Sequence, residues 1–220
     1  MAVTLAEEIA LLSLDDESGA AKERSSAGWA VAGGILLELV LAERLTVADG
    51  RLAVADATPT GTALLDGRLA KLDEWTRRNG RRKVVDWLTK DQSTAVRATV
   101  ESLCERGLVT EERHRALGLF PVRRYPEADG SVERELRERL ASVVLEGTEP
   151  DDRTSGLIAL LHAAKLHRLA FPELPRKQVQ TRMAEIGEGQ WAGDGVREAI
   201  RNMQAALVAI TAVTAATVVM

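Results

Sequence analysis

The sequence predicts a mostly α-helical fold, a single compact multi-helix domain with small β-hairpins. Hydrophobic residues make up 45% of the chain but aromatic residues only 3%, so the core must be built from Leu, Val, Ile and Ala. Aliphatic, Ala-rich sequences favour helices over sheets. A charged fraction of 28% is ordinary for a globular protein. No linker or low-complexity run divides the 220 residues, so we expect one domain over residues 1–220.

The first half of the chain carries helix signals and one short hairpin. The pattern Thr4-x-x-Glu7 is a capping box that opens a first helix. The stretch Ala27–Glu43 is apolar at most positions and predicts a long, largely buried helix. Gly33 and Gly34 in its middle predict close contact with a neighbouring helix. Further predicted elements are a hairpin with its turn at Ala48–Gly50 and helices at Gly61–Arg77, Arg81–Leu88 and Thr94–Arg106.

The second half adds a second hairpin and four further helices, which brings the expected total to about nine helices and two hairpins. The final uncharged run, Ala205–Met220, is too short for a spanning helix and is expected to be a buried core helix. The predicted elements are the hairpin Arg113–Pro126 and helices at Ser131–Leu145, Ser155–Phe171 (capped by Asp151 or Asp152), Lys177–Ile186 and from Val196 onward.

The hairpin Arg113–Pro126 is the most distinctive segment of the sequence. Two extended runs meeting at Gly118 or Pro121 would place apolar side chains at the tip and arginines beside it. Such a tip suits the edge of an anionic bilayer, because the apolar residues enter the acyl boundary while guanidinium groups meet phosphates. An ordinary hairpin folded back on the core and the wing of a winged helix are the alternatives. The apolar residues are Leu117, Leu119, Phe120 and Val122, and the flanking cations are Arg113, Arg115, Arg123 and Arg124.

Charge and cysteine content restrict the partners of the chain. The formal net charge is −4, so no overall field attracts nucleic acid or anionic lipid, and any such binding needs a local basic patch. The single cysteine, Cys104, excludes an internal disulfide and offers no metal cluster, which fits a reducing cytosol. We therefore expect neither a cofactor nor a metal.

Few residues are arranged for catalysis, so the sequence does not predict an enzyme. No Gly-rich turn joins a strand to a helix, which argues against a nucleotide-binding loop. His162 and His167 lie five residues apart on one predicted helix, so they do not share a face as metal ligands four residues apart would. We expect one of them to be packed and the other solvated.

Two functions besides membrane binding remain open from the residues alone. The helix Thr94–Arg106, the turn Gly107–Thr110 and the basic hairpin would fit a winged-helix DNA-binding regulator, with Arg77–Lys83 as an additional basic cluster. The acidic total charge and the apolar tip count against this hypothesis. The other alternative is an oligomeric scaffold whose hairpin mediates self-association without lipid.

Six segments resemble, in chain order, the Golgi phosphoprotein 3 family of phosphoinositide-binding peripheral membrane proteins. The ordered set covers nearly the whole chain, from about Thr4 to the final helix. The segments are TLAEEIALLSLDDESG, GILLELVLAERLTV, ATPTGTALLDGRL, CERGLVTEE, LGLFPVRRYP and DDRTSGLIALLHAAKL.

The resemblance implies a helical domain with a protruding apolar hairpin that inserts into membranes and supports self-association. By matching position, Leu117, Leu119, Phe120 and Val122 would be the inserting tip. The family binds phosphatidylinositol 4-phosphate in a basic pocket beside the hairpin and acts as an adaptor for the cytosolic tails of glycosyltransferases. It is peripheral at the cytoplasmic face of the Golgi; the Arg-, Ala- and Val-rich composition resembles a bacterial member, for which the plasma membrane replaces the Golgi.

The sequence departs from the family at the headgroup pocket. Ala32 stands where the family has an arginine, and Trp29 is out of register with the family's tryptophan. The two pocket arginines that precede the hairpin in the family fall near Ser93 and Val96, so Arg97 is the nearest substitute. The candidates for headgroup contact are therefore Arg97, Arg115, Arg123 and Arg124, and we expect a simpler anionic lipid such as phosphatidylinositol to replace the 4-phosphate.

Overall fold

The computed structural model contains nine helices and two short β-hairpins in the part of the chain that it describes. It describes residues 3–14, 20, 22, 24–78, 82–116, 120–128, 130–188 and 194–218, with backbone alone at residues 24, 113–116, 120–123 and 213–218. The predicted fold class is confirmed. The elements are α1 (Leu5–Ser13), α2 (Arg24–Leu41), β1 (Leu45–Ala48), β2 (Arg51–Val54), α3 (Ala63–Arg78), α4 (Val84–Glu105), β3 (Glu112–Ala116), β4 (Phe120–Arg124), α5 (Ser131–Val144), α6 (Asp152–Ala163), α7 (His167–Ala170), α8 (Arg176–Gly187) and α9 (Asp194–Val218).

Helix α1 begins at the predicted capping box. The Glu7 N–H donates to the Thr4 hydroxyl over 3.3 Å, and the Glu7 carboxylate accepts from the Thr4 N–H over 2.8 Å. Every residue of α1 is buried. An all-buried helix gains its stability from packing on several sides, so α1 lies inside the helical layers and not on their surface.

Helix α2 is the centre of the core and packs against α1, α4, α6 and α9. Its two mid-helix glycines lie at close helix contacts, as predicted. A Cβ added at Gly34 would lie 3.0 Å from the backbone nitrogen of Ala6 in α1, and one added at Gly33 would lie 3.0 Å from Leu160 in α6. The absence of side chains at these two positions therefore sets how closely α1 and α6 approach α2.

We expect Gly34→Ala to destabilise the fold although alanine is the better helix former. The added methyl meets the backbone of α1, which cannot rotate away, and overpacking of this kind costs about 1–3 kcal/mol. The matched control is Gly67→Ala in α3, where nothing lies within 4 Å of the added Cβ. That control should gain up to about 1 kcal/mol from helix propensity. Urea unfolding of both variants measures the difference, and a stabilised Gly34→Ala would show that the helices are not in close contact.

Helix α4 corrects one expectation, because the two helices predicted at Arg81–Leu88 and Thr94–Arg106 are a single helix over Val84–Glu105. No Gly or Pro interrupts residues 89–93. The polar residue at the centre of this stretch, Asp91, is buried and forms an ion pair with Arg68 of α3. The charge of Asp91, in the middle of the stretch between the two predicted helices, is thus balanced by Arg68 across the interface between α3 and α4.

A second correction concerns the helix predicted at Ser155–Phe171. It is two helices, α6 and the short α7, separated by a turn at Ala164–Leu166. Lys165 has φ +61°, which ends α6, and its N–H donates to the His162 carbonyl over 3.0 Å. The start of α6 is as predicted, since the Asp151 side chain accepts from the Thr154 N–H over 2.7 Å.

Both predicted hairpins are present and both are antiparallel. Strands β1 and β2 join at Asp49 and Gly50, whose φ angles of +51° and +69° are the positive values that a tight two-residue turn requires. Strands β3 and β4 pair from Glu112 opposite Arg124 to Ala116 opposite Phe120.

Helix α9 buries one face, with Ile200, Met203, Leu207 and Ile210 in the core and Val208 exposed. The expectation of a buried core helix over Ala205–Met220 is therefore wrong for one face, since Ala205, Val208, Ala209 and Ala212 are exposed; the side chains from residue 213 onward are not described. No helix in the described ranges is both long and apolar enough to cross a bilayer.

Candidate functional site

The β3–β4 hairpin rises from the junction between α4 and α5. Its base is closed by a bridge between Val109 and Glu127 and by the Thr110 N–H, which donates to the Pro126 carbonyl over 3.0 Å. Val109 is 2% exposed and anchors this base in the core. Within the described residues, no helix makes more than marginal contact with β3 or β4. The hairpin is therefore fixed at its base and held along its length mainly by its own strand pairing.

The predicted tip lies largely outside what the structure describes. Leu117 and Leu119 are outside the described residues, together with Gly118. Phe120 and Val122 belong to β4, where they pair with Ala116 and His114. Insertion of these four apolar residues into a membrane stays a prediction.

The hairpin arginines have different settings. Arg115 and Arg123 pair through their strands with Pro121 and Arg113. Arg124, at the end of β4, is half-buried, and its Nε has no hydrogen-bond partner. A guanidinium with an unused buried N–H can donate to a phosphate or carboxylate oxygen, so Arg124 has a donor available for an anion.

Arg97 lies on α4 and belongs to a different surface from the hairpin. Its side chain is 69% exposed and lies 3.9 Å from the Glu101 carboxylate, a contact too weak to neutralise it. It shares one face of the helix with Lys90 and Thr94, because these positions are separated by three or four residues. Among the side chains that the structure describes, Arg97 makes no contact with a hairpin arginine. It belongs to the exposed face that α4 shares with α3.

Gly28, Trp29 and Ala32, in the region where the resemblance places a headgroup pocket, are packed, whereas Ser93 is exposed. A Cβ added at Gly28 of α2 would lie 3.4 Å from the Gln92 side chain and 3.6 Å from Val96, so α2 and α4 are in contact here. Ala32 is 1% exposed, and the Trp29 side chain is buried with its indole N–H unpaired. The described side chains at these positions provide no cation. The departures in the sequence thus correspond to a filled helix interface.

Sequence reasoning missed Arg68, the most deeply buried cation of the described chain. It is 3% exposed, forms an ion pair with Asp91, and leaves Nε and one terminal nitrogen without partners. Burial, and secondly the nearby Arg97, lower the pKa of its guanidinium. The available signal was its spacing, since Arg68 lies between Leu65 and Leu72 on the apolar stripe of α3 and interrupts it.

Arg68 lines a cavity of about 340 Å³ between α3 and α4. The aromatic walls are Trp75 and Trp87, whose ring centroids lie 5.3 Å apart at an angle of 56°. Lys71 and Lys90 are exposed at its edge. We call this cavity with Arg97 the α3–α4 basic face. In the neighbouring cluster that the sequence suggested, Arg77–Lys83, two arginines form ion pairs within α3: Arg77 with Asp73 and Arg78 with Glu74.

Buried carboxylates fix the end of α4 from which the hairpin departs. Glu7 in α1 is 1% exposed and accepts from Arg106 over 2.7 Å and from the Ser102 hydroxyl over 2.8 Å. The adjacent Glu8 accepts from Arg139 of α5 over 2.9 Å and from Arg153 of α6 over 2.7 Å. Helix α1 is thus the hub that ties α4, α5 and α6 together, and it holds the hairpin base in one orientation.

No group of three His, Cys, Asp or Glu that could bind a metal occurs in the described ranges. Cys104 is half-buried against the core, as expected, and burial raises the pKa of its thiol. The described residues therefore form a mostly helical domain with a hairpin anchored at the end of a long helix and a basic face along that helix. The chain matches the model of the family described as Golgi phosphoprotein 3 (GPP34) over residues 5–203, nearly its whole length. The chain belongs to the Golgi phosphoprotein 3 family. No curated protein matches it.

Proposed function

We propose that the chain is a peripheral membrane protein that binds anionic phospholipid through the β3–β4 hairpin and neighbouring arginines. The observation that carries this proposal is the hairpin itself, which is anchored at Val109 and makes only marginal contact with the helices where it is described. A hairpin folded back on the core would share a buried face with the helices. Membership of a family whose members bind phosphoinositide at Golgi membranes supports the same function.

The strand register supports different roles in membrane binding for the two faces of the hairpin. Arg113, Arg115 and Arg123 occupy positions of one parity. Ala116, Phe120 and Val122 occupy the other toward the tip, with Glu112, His114 and Arg124 on the same parity toward the base. Alternate positions of a strand belong to opposite faces of the ribbon. A ribbon with a basic face and an apolar face can lie at the headgroup boundary, with its apolar tip in the acyl region.

The expected strength of binding follows from these residues. Burial of two or three large apolar side chains contributes roughly 1.5–3 kcal/mol each. Each basic residue near an anionic surface adds about 1 kcal/mol. The sum is enough for reversible docking and falls short of permanent anchoring.

The headgroup preference follows from the closed α2–α4 interface. By family resemblance the ligand is phosphatidylinositol 4-phosphate, but Ala32, Ser93 and Val96 supply none of the guanidinium groups of that pocket. The cations available are the hairpin arginines, with Arg124 at the hairpin base, and the α3–α4 basic face. We therefore expect selection for negative charge and little discrimination between anionic headgroups.

Co-sedimentation with vesicles tests this proposal. We expect similar binding to vesicles of phosphatidylglycerol and of phosphatidylinositol at equal surface charge, weak binding to phosphatidylcholine, and a decrease as salt is raised, because exposed charges are screened. Arg124→Gln should weaken the binding several-fold. The matched control Arg182→Gln, on α8 and paired with Glu185 over 3.2 Å, should leave it unchanged. Equal binding to phosphatidylcholine would contradict a role for charge, and a strong preference for the 4-phosphate would show a dedicated pocket.

The family is not known as enzymatic, and we propose binding rather than catalysis. By the same resemblance the hairpin supports self-association, and the cytosolic tails of membrane enzymes are the protein partners. Docking at the cytoplasmic face of a membrane is the matching location. A scaffold that oligomerises without lipid is the alternative, and it predicts oligomers but no vesicle binding.

The winged-helix alternative was based on the helix Thr94–Arg106, the turn Gly107–Thr110 and the basic hairpin. In the structure the first of these is the end of a longer helix, α4, which runs without a break over Val84–Glu105, so no turn precedes Thr94. A helix-turn-helix needs that turn to place its second helix in the major groove. The net charge of −4 also provides no general attraction to DNA.

A further inference from the structure

A second cavity, of about 500 Å³, lies between α6, α7, α8 and α9. None of these helices contributes to the hairpin or to the α3–α4 basic face. Its polar lining comes from these four consecutive helices and from residues next to them. The polar lining residues are His162, Lys165, His167, Arg176, Gln180, Glu188, Arg201 and Gln204. A cavity of this size accommodates a small organic molecule.

The break between α6 and α7 creates this arrangement. The sequence predicted His162 and His167 on one helix, and this was wrong, because α6 ends at Ala163 and His167 begins α7. One histidine, His167, is packed as expected, but His162 is half-buried and not solvated. Lys165 ends α6 with a positive φ, and the chain turns so that both imidazoles line the same cavity. Lys165 itself is exposed at its edge.

His167 has an unmet hydrogen-bonding capacity in this cavity. It is only 7% exposed, and its Nε2 has no partner. A buried polar nitrogen without a partner costs free energy, and such groups are usually satisfied by water or by a ligand. A ligand atom that accepts from, or donates to, Nε2 would remove that cost.

The charges around the cavity favour an anion. Lys165, Arg176 and Arg201 are cationic, against a single carboxylate, Glu188. Lys165, Arg176 and Arg201 form no ion pair with any side chain that the structure describes. Arg176 donates through Nε to the Gln180 side chain over 3.1 Å, which orients the guanidinium. Burial and, to a smaller extent, Arg176 lower the pKa of His162. Burial and Arg176 are also the two largest causes of the lowered pKa of His167.

One wall of the cavity is apolar. Ala163, Ala184 and Ala205 line it, together with Val208, which is 53% exposed. Val208 is one of two large apolar side chains exposed in the described part of the chain. An apolar wall beside a cluster of cations suits a ligand that has an organic body and a charged end.

We propose that this cavity binds an organic monophosphate, with the phosphate held by Arg176, Arg201 and Lys165 and the organic part against Val208. Three cations match a dianion better than a carboxylate with one charge. A phosphate also has three terminal oxygens, enough to accept from two guanidinium groups and from a histidine at once. This site is separate from the hairpin, and the proposal does not rest on membrane binding.

The test is a titration of the isotope-labelled full chain with phenyl phosphate at neutral pH, followed by the imidazole nitrogen signals in NMR spectra. We expect saturable shifts of His162 and His167 at millimolar concentration or below. Arg201→Gln should weaken binding about tenfold or more, because a hydrogen bond to a charged group is worth about 1.5–3 kcal/mol. Arg176→Gln on another helix should do the same, which guards against a folding defect in either variant. Arg182→Gln, on α8 and outside the cavity lining, is the matched control and should bind like the unmodified chain.

Three outcomes would overturn the proposal: no shift of either imidazole at millimolar phenyl phosphate, unchanged binding in both arginine variants, or phenol binding as tightly as phenyl phosphate. Inorganic phosphate binding as tightly as phenyl phosphate would overturn the organic part. A competition arm separates the two sources of this chemistry. Displacement of phenyl phosphate by vesicles of phosphatidic acid assigns a lipid headgroup, and displacement only by soluble glycerol 3-phosphate assigns a free metabolite. Vesicles without phosphatidic acid should not displace phenyl phosphate from the cavity, even when they bind the hairpin.

Discussion

The double substitution Leu119→Asp and Phe120→Asp is expected to abolish vesicle binding while the protein stays folded. Each substitution removes a large apolar side chain that would enter the acyl boundary, worth roughly 1.5–3 kcal/mol, and places a carboxylate there instead. The combined loss corresponds to at least about a hundredfold in affinity. Co-sedimentation with phosphatidylglycerol vesicles measures the loss, and circular dichroism with urea unfolding measures the fold.

The control for this experiment is Leu145→Asp. Leu145 follows α5. In the described structure it and Val208 are the two exposed large apolar side chains, and Leu145 is 47% exposed. Its substitution adds a charge to an exposed apolar site away from the hairpin, so vesicle binding should be retained. Undiminished sedimentation of the double variant would exclude the hairpin tip as the membrane contact. If the unmodified chain does not bind vesicles and the double variant loses oligomers that the unmodified chain forms, the scaffold alternative is favoured.

Glu7→Gln is expected to give the largest loss of stability among single conservative changes to the ionic contacts of α1. Glutamine keeps the size of the side chain, and its oxygen can still complete the capping box with Thr4, but the change removes the charge and replaces one acceptor oxygen by an NH2 donor. Arg106, whose side chain is 22% exposed, then loses a buried partner at 2.7 Å. Removing one member of a buried pair costs about 3–5 kcal/mol, and the partial exposure of Arg106 places the expectation near 3 kcal/mol.

Glu101→Gln on α4 provides the comparison for Glu7→Gln. Glu101 and its partner Arg97 are 64% and 69% exposed and 3.9 Å apart, so its loss should change the unfolding free energy by no more than about 0.5 kcal/mol. Urea unfolding measures both variants on one scale. If Glu7→Gln were as mild as Glu101→Gln, the buried carboxylates of α1 would not be what fixes the end of α4.

The predictable part of the fold rests on local signals. The capping box at Thr4, the turn at Asp49 and Gly50, and the close contacts at Gly33 and Gly34 all follow from short patterns whose physics is contained in a few neighbouring residues. The confirmed helical class follows from composition and periodicity in the same way. Family membership was also visible in the sequence, because ordered segments carry it over most of the chain.

The errors occurred where a distant residue decided the local structure. The sequence predicted two helices where α4 is one, and Asp91 lies in the stretch left between them. Arg68, twenty-three positions earlier, pairs with Asp91 and allows it to be buried at the helix interface. The buried ion pair is invisible to any window along the chain. The turn at Lys165 is a related case, since a lysine with positive φ lacks the glycine signal that usually marks the end of a helix.

The same distinction between local signals and contacts of distant residues applies to the candidate sites. The sequence by itself determined the helical class, the family and the basic, apolar hairpin, because each depends on residue types within one short segment. Only the tertiary structure decided that the α2–α4 interface is filled, that Arg97 belongs to the α3–α4 basic face, and that His162 and His167 share a cavity with Arg201. These are relations between helices, and they depend on packing and on helix ends that one-dimensional periodicity does not encode.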